Sequence, residues 1–349
     1  WKTPRDLTLD NVIGKIEKGV STRNSLNNFC RTVAFVSQIE PKSLEEALQD
    51  SNWITAMQEE LNQFEYNEVW TLVPRKHEMN IIGTKWVYRN KMDEHGAITR
   101  NKARLVAKGY NQEEGIDFGE TYAPVARLEA VRLLLAFSSI QGFKLFQMDV
   151  KSAFLNGYIN EEVFVSQPPG FEDHKNPEHV YMLKKALYGL KQAPRQWYER
   201  LSEFLLSQGY SRGNSDKTLF LKKKSEDIIL VQVYVDDIIF GSTNEEMCED
   251  FVKTMKSEFE MSMLGEMNFF LGLQVKQLKD GIFISQEKYC KELLKRFDMD
   301  QCKAISTPIS TSCQLDQDLA GKSVDQTKYR GLIGSLLYLT ASRTDIMFD

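Results

Sequence analysis

Residues 228–240 form an apolar run interrupted by one adjacent pair of carboxylates, Asp236 and Asp237. Charges set inside a core-forming segment must reach an edge or find a partner, which sharply limits how such a segment can fold. The β-branched and aromatic residues on either side read as two strands, and Tyr234-Val235-Asp236-Asp237 reads as their connection, with the two aspartates at the turn. Asp also serves many ordinary turns, so the tetrapeptide alone does not separate a site from a bend.

A second apolar segment, Phe146-Gln147-Met148-Asp149-Val150, ends on a single carboxylate. If the two strands lie side by side, three carboxylates gather. Such a cluster suits a pair of divalent ions about 3.5–4 Å apart, as used for in-line transfer at phosphorus. The chemistry these residues imply is nucleotidyl transfer, with one ion activating a hydroxyl and the other neutralising the leaving pyrophosphate.

The net charge of -5 argues against uniform attraction to a polyanion, so any nucleic-acid contact must use local basic surface. Residues 83–110 supply one: Lys85, Arg89, Lys91, Arg100, Lys102, Arg104 and Lys108 stand against only Asp93 and Glu94. A solvated hairpin face would carry the same pattern. The cysteines (Cys30, Cys248, Cys290, Cys302, Cys313) are odd in number and scattered, which leads us to expect reduced thiols, and His77, His95, His174 and His179 form no zinc-spaced set with them. No run of about 18 apolar residues occurs, so a soluble protein with no membrane partner is expected. The length of 349 residues allows two or three subdomains, and a chain opening on Trp1 rather than Met is expected to be part of something longer.

Residues 1–28 are polar and without period, and read as a linker or loose arm. Ser43 with Glu46 makes a capping box, and after Asp50 an apolar face of Trp53, Ile54, Met57, Leu61 and Phe64 predicts a helix. Residues 70–74 and 84–89 alternate as strands, the latter turning through Asp93-Glu94-His95-Gly96 into a return strand at 103–108. Helical spacing resumes at 128–137. Beyond the Asp149 strand the reading gives a turn at Gln167-Pro168-Pro169-Gly170 and a basic helix over 184–210. Thr243 and Glu246 cap a helix carrying Met247, Phe251, Met255 and Phe259; strands follow at 265–275 and 281–285, and helices at 286–297 and 326–339. Strand, helix, hairpin, helix fits an α+β, ferredoxin-like sheet with helices on one face.

These blocks together resemble the reverse transcriptase of copia-type long-terminal-repeat retrotransposons, particularly plant Pol polyproteins. The resemblance runs over about 43–347 through Trp53-Ile54-x-Ala56-Met57, Asn101-Lys102-Ala103-Arg104-Leu105-Val106-Ala107, Tyr122-Ala123-Pro124-Val125-Ala126-Arg127, Asp149-Val150-Lys151-Ser152-Ala153-Phe154-Leu155-Asn156-Gly157, Gln167-Pro168-Pro169-Gly170-Phe171, Leu187-Tyr188-Gly189-Leu190-Lys191-Gln192-Ala193-Pro194-Arg195, the Asp-Asp hairpin and Phe270-Leu271-Gly272. It implies a right-hand polymerase: an arm following integrase at 1–42, fingers and amino-terminal helices at 43–142, a ferredoxin-like palm at 143–275 and a partial thumb or connection at 276–349, stopping before ribonuclease H. It further implies an RNA-directed DNA polymerase using two Mg2+ ions, with Mn2+ as substitute, on an RNA or DNA template-primer and deoxynucleoside triphosphates. The other Pol domains, integrase and ribonuclease H, would be its partners, and its place would be cytoplasmic, within virus-like particles. The rival is a non-catalytic nucleic-acid-binding remnant of a degenerate copy.

By the same resemblance, Asp149, Asp236 and Asp237 are the catalytic, metal-binding carboxylates, with Val150 among the metal contacts. Phe154 is the aromatic gate against a ribose 2′-hydroxyl, although a core aromatic after a strand is its plainer reading. Lys102 and Arg104, two apart on a strand and so on one face, are the candidate triphosphate cations, with the choice between them open. Gly189 allows close backbone approach under the nucleotide. Tyr188 stands where retroviral relatives carry glutamine, and a packed aromatic at a helix entry is its plainer reading. Phe270, Leu271 and Gly272 resemble the primer grip, or form a plain strand bend. Lys15, Gly119 and Thr344 depart from the family pattern, and none lies in the proposed metal site.

Overall fold

The computed structural model describes residues 36–92, 97–304, 321–343 and 346–347. Most of the 1–42 arm, the 93–96 turn with His95, and Lys15, Cys30, Cys313 and Thr344 lie outside the described residues. The chain divides into two compact units: Trp1–Tyr122 with Phe154–Arg200, and Ala123–Ala153 with Leu201–Asp349.

In the first unit Ser43 caps the single-turn helix Leu44–Ala47 by accepting from Glu46 N, while the Glu46 carboxylate accepts from Lys42 N. Asp50 caps Ser51–Tyr66, accepting from Asn52 N at 2.9 Å. That helix buries Trp53, Ala56, Met57, Glu60 and Phe64. Ile54, read as part of this stripe, is 38% exposed, because one helical step past Trp53 turns it about 100° off the face. The buried stripe lies on the hairpin Thr84–Met92 and Ile98–Ala107, in a core shared with Tyr88 and Ala103. The hairpin is longer than the sequence reading, pairing from Thr84↔Ala107 to Met92↔Ile98 with one irregularity after Lys91. A second sheet orders Trp70–Val73, Val180–Leu183, Phe164–Val165 and Ile81–Ile82. Phe64, Val69, Ile82, Leu105, Leu155 and Leu187 fill the core of the unit. Each fully buried side chain of this size contributes roughly 1.5–3 kcal/mol before chain entropy is counted.

The basic helix expected over 184–210 is shorter, Ala193–Ser207. Residues 187–190 turn instead, with Gly189 at φ 92°, a left-handed conformation that no helix continues through. Pro194 then enters at the first turn, where its missing N–H has no helical acceptor to lose.

The second unit is built on a six-stranded sheet in the order Met261–Glu266, Phe146–Val150, Asp237–Ser242, Asp227–Tyr234, Leu219–Lys224, Ser211–Arg212. Its first four members are the fourth, first, third and second strands of a βαββαβ unit, all antiparallel, as the ferredoxin-like reading expects. Helix Glu245–Glu258 packs Phe251 on Phe240, with ring centroids 4.8 Å apart. Its cap is Asn244, accepting from Glu246 N, and not Thr243, whose hydroxyl bonds Asp227 instead. The opposite face of the sheet is covered as well: Ile239 and Leu230 share a core with Val131, Leu134 and Leu135 of helix Leu128–Gln141, and with Phe270, Leu273 and Val275. The continuous strand expected over 265–275 is divided, with Phe269–Phe270, Leu273–Leu278 and Gly281–Ser285 forming a separate small sheet. Helices Glu287–Arg296 and Gln326–Ser342 follow, joined by the Tyr289 hydroxyl donating to Ser335 O. Cys248, Cys290 and Cys302 are free thiols, and among the described residues no helix is long and apolar enough to cross a membrane.

Candidate functional site

Asp149 and Asp237 are direct partners in the antiparallel register, so their side chains rise from one face of neighbouring strands. The hairpin is tighter than its sequence suggests. Tyr234 pairs with Asp237, leaving Val235 and Asp236 as the two-residue loop, and Asp237 belongs to the second strand rather than to the turn. Val235 sits at φ 55°, where a β-branched residue is strained by about 1–3 kcal/mol. The surrounding pairing holds it there: Val150 N donates to Asp236 O at 2.9 Å, tying the loop to the end of the Asp149 strand.

Burial pushes the Asp237 carboxyl above its usual range; the Gln147 amide opposes this, and the charge of Asp236 adds to it. Gln147 Nε2 donates to Asp237 Oδ1 at 2.8 Å. Two opposed carboxylates and a third on the adjoining loop offer hard oxygen donors, and their mutual repulsion is what a divalent cation relieves. Among the described residues no three His, Cys, Asp or Glu side chains close into a ready cage.

The residues expected to meet the nucleotide lie in the first unit, and three of them form one stack. The Arg104 guanidinium lies 5.0 Å from the centroid of the Tyr188 ring, and Phe154 meets the same ring at 4.8 Å and 48°. Lys102 shares a face of the strand with Arg104. Burial holds the Lys102 ammonium below its usual value, Arg104 adds to this, and Glu60 opposes it. Gly189 is needed for contact as well as conformation, since a Cβ there would lie 2.2 Å from Ala107 O. Ala107 N donates to Tyr188 O at 2.7 Å, so the turn continues the edge of the basic hairpin.

A supporting network went unread in the sequence. Gln112 Nε2 donates to Gln192 Oε1, Gln192 Nε2 donates to Asp117 O, and Gln112 Oε1 accepts from Lys191 N. Asp117 Oδ2 in turn accepts from Asn80 Nδ2 at 2.6 Å and from Glu113 N at 2.8 Å. These buried amides lock residues 187–192 to the loop after the hairpin. Isolated glutamines in polar loops gave no signal of it.

In the second unit Leu271 and Gly272 are the two central residues of a hairpin turn, at φ 48° and 79°, the sign pattern of a type I′ turn. The Tyr338 hydroxyl donates to Leu271 O. Phe270 is buried against Tyr234. The bend is therefore a tight, anchored turn beside the acidic hairpin.

A ferredoxin-like sheet with carboxylates on its two central strands, one of them at a hairpin, is the architecture of a template-directed polymerase palm. A family model described as reverse transcriptase (RNA-dependent DNA polymerase) matches residues 67–311, and the chain belongs to that family. It is 38% identical over 317 residues to the retrovirus-related Pol polyprotein from transposon RE1 of Arabidopsis thaliana, covering 90% of this chain and 22% of that protein. It is 36% identical over 335 residues to that from transposon RE2 of the same plant (96% and 23%), and 34% identical over 320 residues to that from transposon TNT 1-94 of Nicotiana tabacum (88% and 24%). The chain thus spans under a quarter of the length of these relatives. Among solved structures, a foamy viral protease-reverse transcriptase in complex with double-stranded DNA aligns with TM-score 0.41 and 12% identity, over 83% of this chain and 40% of that one.

Proposed function

We propose that this chain is the RNA-directed DNA polymerase module of a retrotransposon polyprotein, extending a primer 3′-hydroxyl with deoxynucleotides on an RNA or DNA template. The observation that carries this reading is the register that sets Asp149 opposite Asp237 with Asp236 on the loop between strands. Two Mg2+ ions, or Mn2+ in their place, are the cofactor these oxygens suit, and when bound they supply activation of the primer hydroxyl and charge neutralisation at the leaving pyrophosphate. Asp149, Asp236 and Asp237 hold that charge, and Val150 keeps the loop closed on them through its N–H.

Arg104 and Lys102 neutralise the triphosphate, and Phe154 closes the space that a ribose 2′-hydroxyl needs. The Gly189 turn lets backbone approach the base, and the Phe270-Leu271-Gly272 turn positions the primer. Basic side chains against phosphate give an affinity that falls steeply with salt and depends little on sequence. A binding-only role is disfavoured because clustered carboxylates repel phosphate unless a cation lies between them. Integrase and ribonuclease H regions of a full polyprotein are the expected covalent partners. Primer extension on an RNA template with Mg2+ tests the proposal: the chain extends, Asp236→Asn loses at least about 100-fold in rate while keeping primer-template affinity, and an unchanged Asp236→Asn rate would overturn the site.

A further inference from the structure

Gln147 precedes Asp149 by two residues on the same strand, so the two side chains share a face. The register sets Gln147 opposite Ile239 and Asp149 opposite Asp237, which places Gln147 diagonally across from Asp237, within reach of a long side chain. Its Nε2 donates to Asp237 Oδ1 at 2.8 Å, and the residue is only 8% exposed. A primary amide in the middle of a central strand is a poor occupant on packing grounds. Met148 and Leu145 beside it are fully buried, and an aliphatic side chain would fill the place without a polar group to satisfy. What the amide supplies and an aliphatic side chain cannot is a donor fixed on one oxygen of a half-buried carboxylate.

We infer that Gln147 is a positioning residue for the metal-binding carboxylates: by occupying Oδ1 of Asp237 it fixes that side chain's rotation and leaves Oδ2 for a divalent cation shared with Asp149. The inference rests on the polymerase reading of the acidic cluster and extends it to a residue outside the cluster. Residues that orient a metal ligand in this way change metal affinity by about 10–100-fold when replaced. Gln147 touches neither primer nor nucleotide in this assignment, so its effect passes through Asp237 alone.

The experiment is Mn2+ binding followed by electron paramagnetic resonance, with wild type, Gln147→Leu, Asp237→Asn and the double variant, alongside thermal unfolding and primer-template affinity. Gln147→Leu is expected to bind Mn2+ at least about 10-fold more weakly than wild type, with primer-template affinity unchanged and extension restored by raised Mg2+. In the Asp237→Asn background the same replacement is expected to change Mn2+ binding less than about 2-fold, which a merely structural role would not produce. If Gln147→Leu unfolds, Gln147→Met repeats the measurement with an unbranched chain of similar length. Mn2+ affinity equal to wild type, or an equal loss in both backgrounds, overturns the inference. Should Asp149→Asn and Asp237→Asn also bind Mn2+ as wild type does, the metal reading fails; a weakened Asp237→Asn beside an unaffected Gln147→Met rejects the role of Gln147 alone.

Discussion

The Phe270 ring stands edge-on to Tyr234, with centroids 5.9 Å apart and planes at 81°. Tyr234 is the last strand residue before the Val235-Asp236 loop, and Phe270 is the last before the Leu271-Gly272 turn, so this contact fixes one tight turn against the other. Phe270 also belongs to the core beneath the sheet. Phe270→Ala should therefore destabilise the protein by about 3–4 kcal/mol, the usual result of deleting a buried aromatic. Phe270→Leu should recover most of that stability and still lack the ring contact. Chemical denaturation measures the first effect. Extension rate at a temperature where both variants are folded measures the second, and a Phe270→Leu rate equal to wild type would show that the ring does not position the acidic loop.

Tyr188 carries the Arg104 guanidinium on its face and Phe154 at its side. A cation over an aromatic ring is worth about 0.5–1 kcal/mol where partly exposed. Tyr188→Phe keeps the ring and should leave KM for deoxynucleotides within about 2-fold. Tyr188→Leu removes the face, and should raise KM about 2–5-fold while loosening discrimination against ribonucleotides through Phe154. Steady-state kinetics with matched deoxy- and ribonucleotides decides the point. An equal rise of KM in the two variants would mean that the hydroxyl matters and the ring does not, and no rise in either would mean that neither does.

How much of this was legible in the sequence depended on the kind of signal. Strand alternation and apolar spacing marked the Phe146–Val150 strand, the Asp237–Ser242 hairpin and the helix Glu245–Glu258, because those patterns follow from which face is buried. Cap chemistry located Ser43 but put the cap of Glu245–Glu258 on Thr243 instead of its neighbour Asn244, since adjacent residues can both cap and sequence does not name the one that faces the Glu246 N–H. The helix drawn through 184–192 failed because basic and apolar residues happened to keep helical spacing, while the decisive fact was a left-handed Gly189 pressed on Ala107. The Asp149–Asp237 pairing was inferable only as a possibility of two strands meeting. The roles of Gln147, Gln112 and Gln192 could not be read, because an amide's value lies in a partner that sequence order does not name.

Gly189→Ala tests that close approach directly. The added methyl would sit 2.2 Å from Ala107 O and 2.6 Å from Val106 Cγ1, on a backbone at φ 92° that alanine disfavours. Strain and clash together should destabilise the first unit by at least about 2 kcal/mol and break the Ala107–Tyr188 backbone bond. Hydrogen exchange at the Ala107 amide reports the break, and protection equal to wild type would mean that the turn relaxes around the methyl.

Glu60 gives the stability of the first unit a pH dependence. It is 8% exposed, and burial raises its carboxyl to about 7, while Lys102, the Leu105 N–H and Arg104 pull the other way. Its Oε1 has no hydrogen-bond partner. With the folded value above the unfolded one, the native state holds the proton more tightly, so the group's contribution is complete below about pH 4.5 and is lost as pH rises through about 7. A gap of that size corresponds to roughly 3 kcal/mol, an upper figure because the ionised form can draw water or Lys102 toward it. Glu60→Met removes the titration and keeps the helix filled. The difference in unfolding free energy between Glu60→Met and wild type should therefore grow in favour of the variant between pH 5 and 8, on the order of 2 kcal/mol, while remaining small at pH 5. A difference that stays flat across that range would mean that Glu60 is ionised in the native protein, paired with Lys102 at every pH in the range.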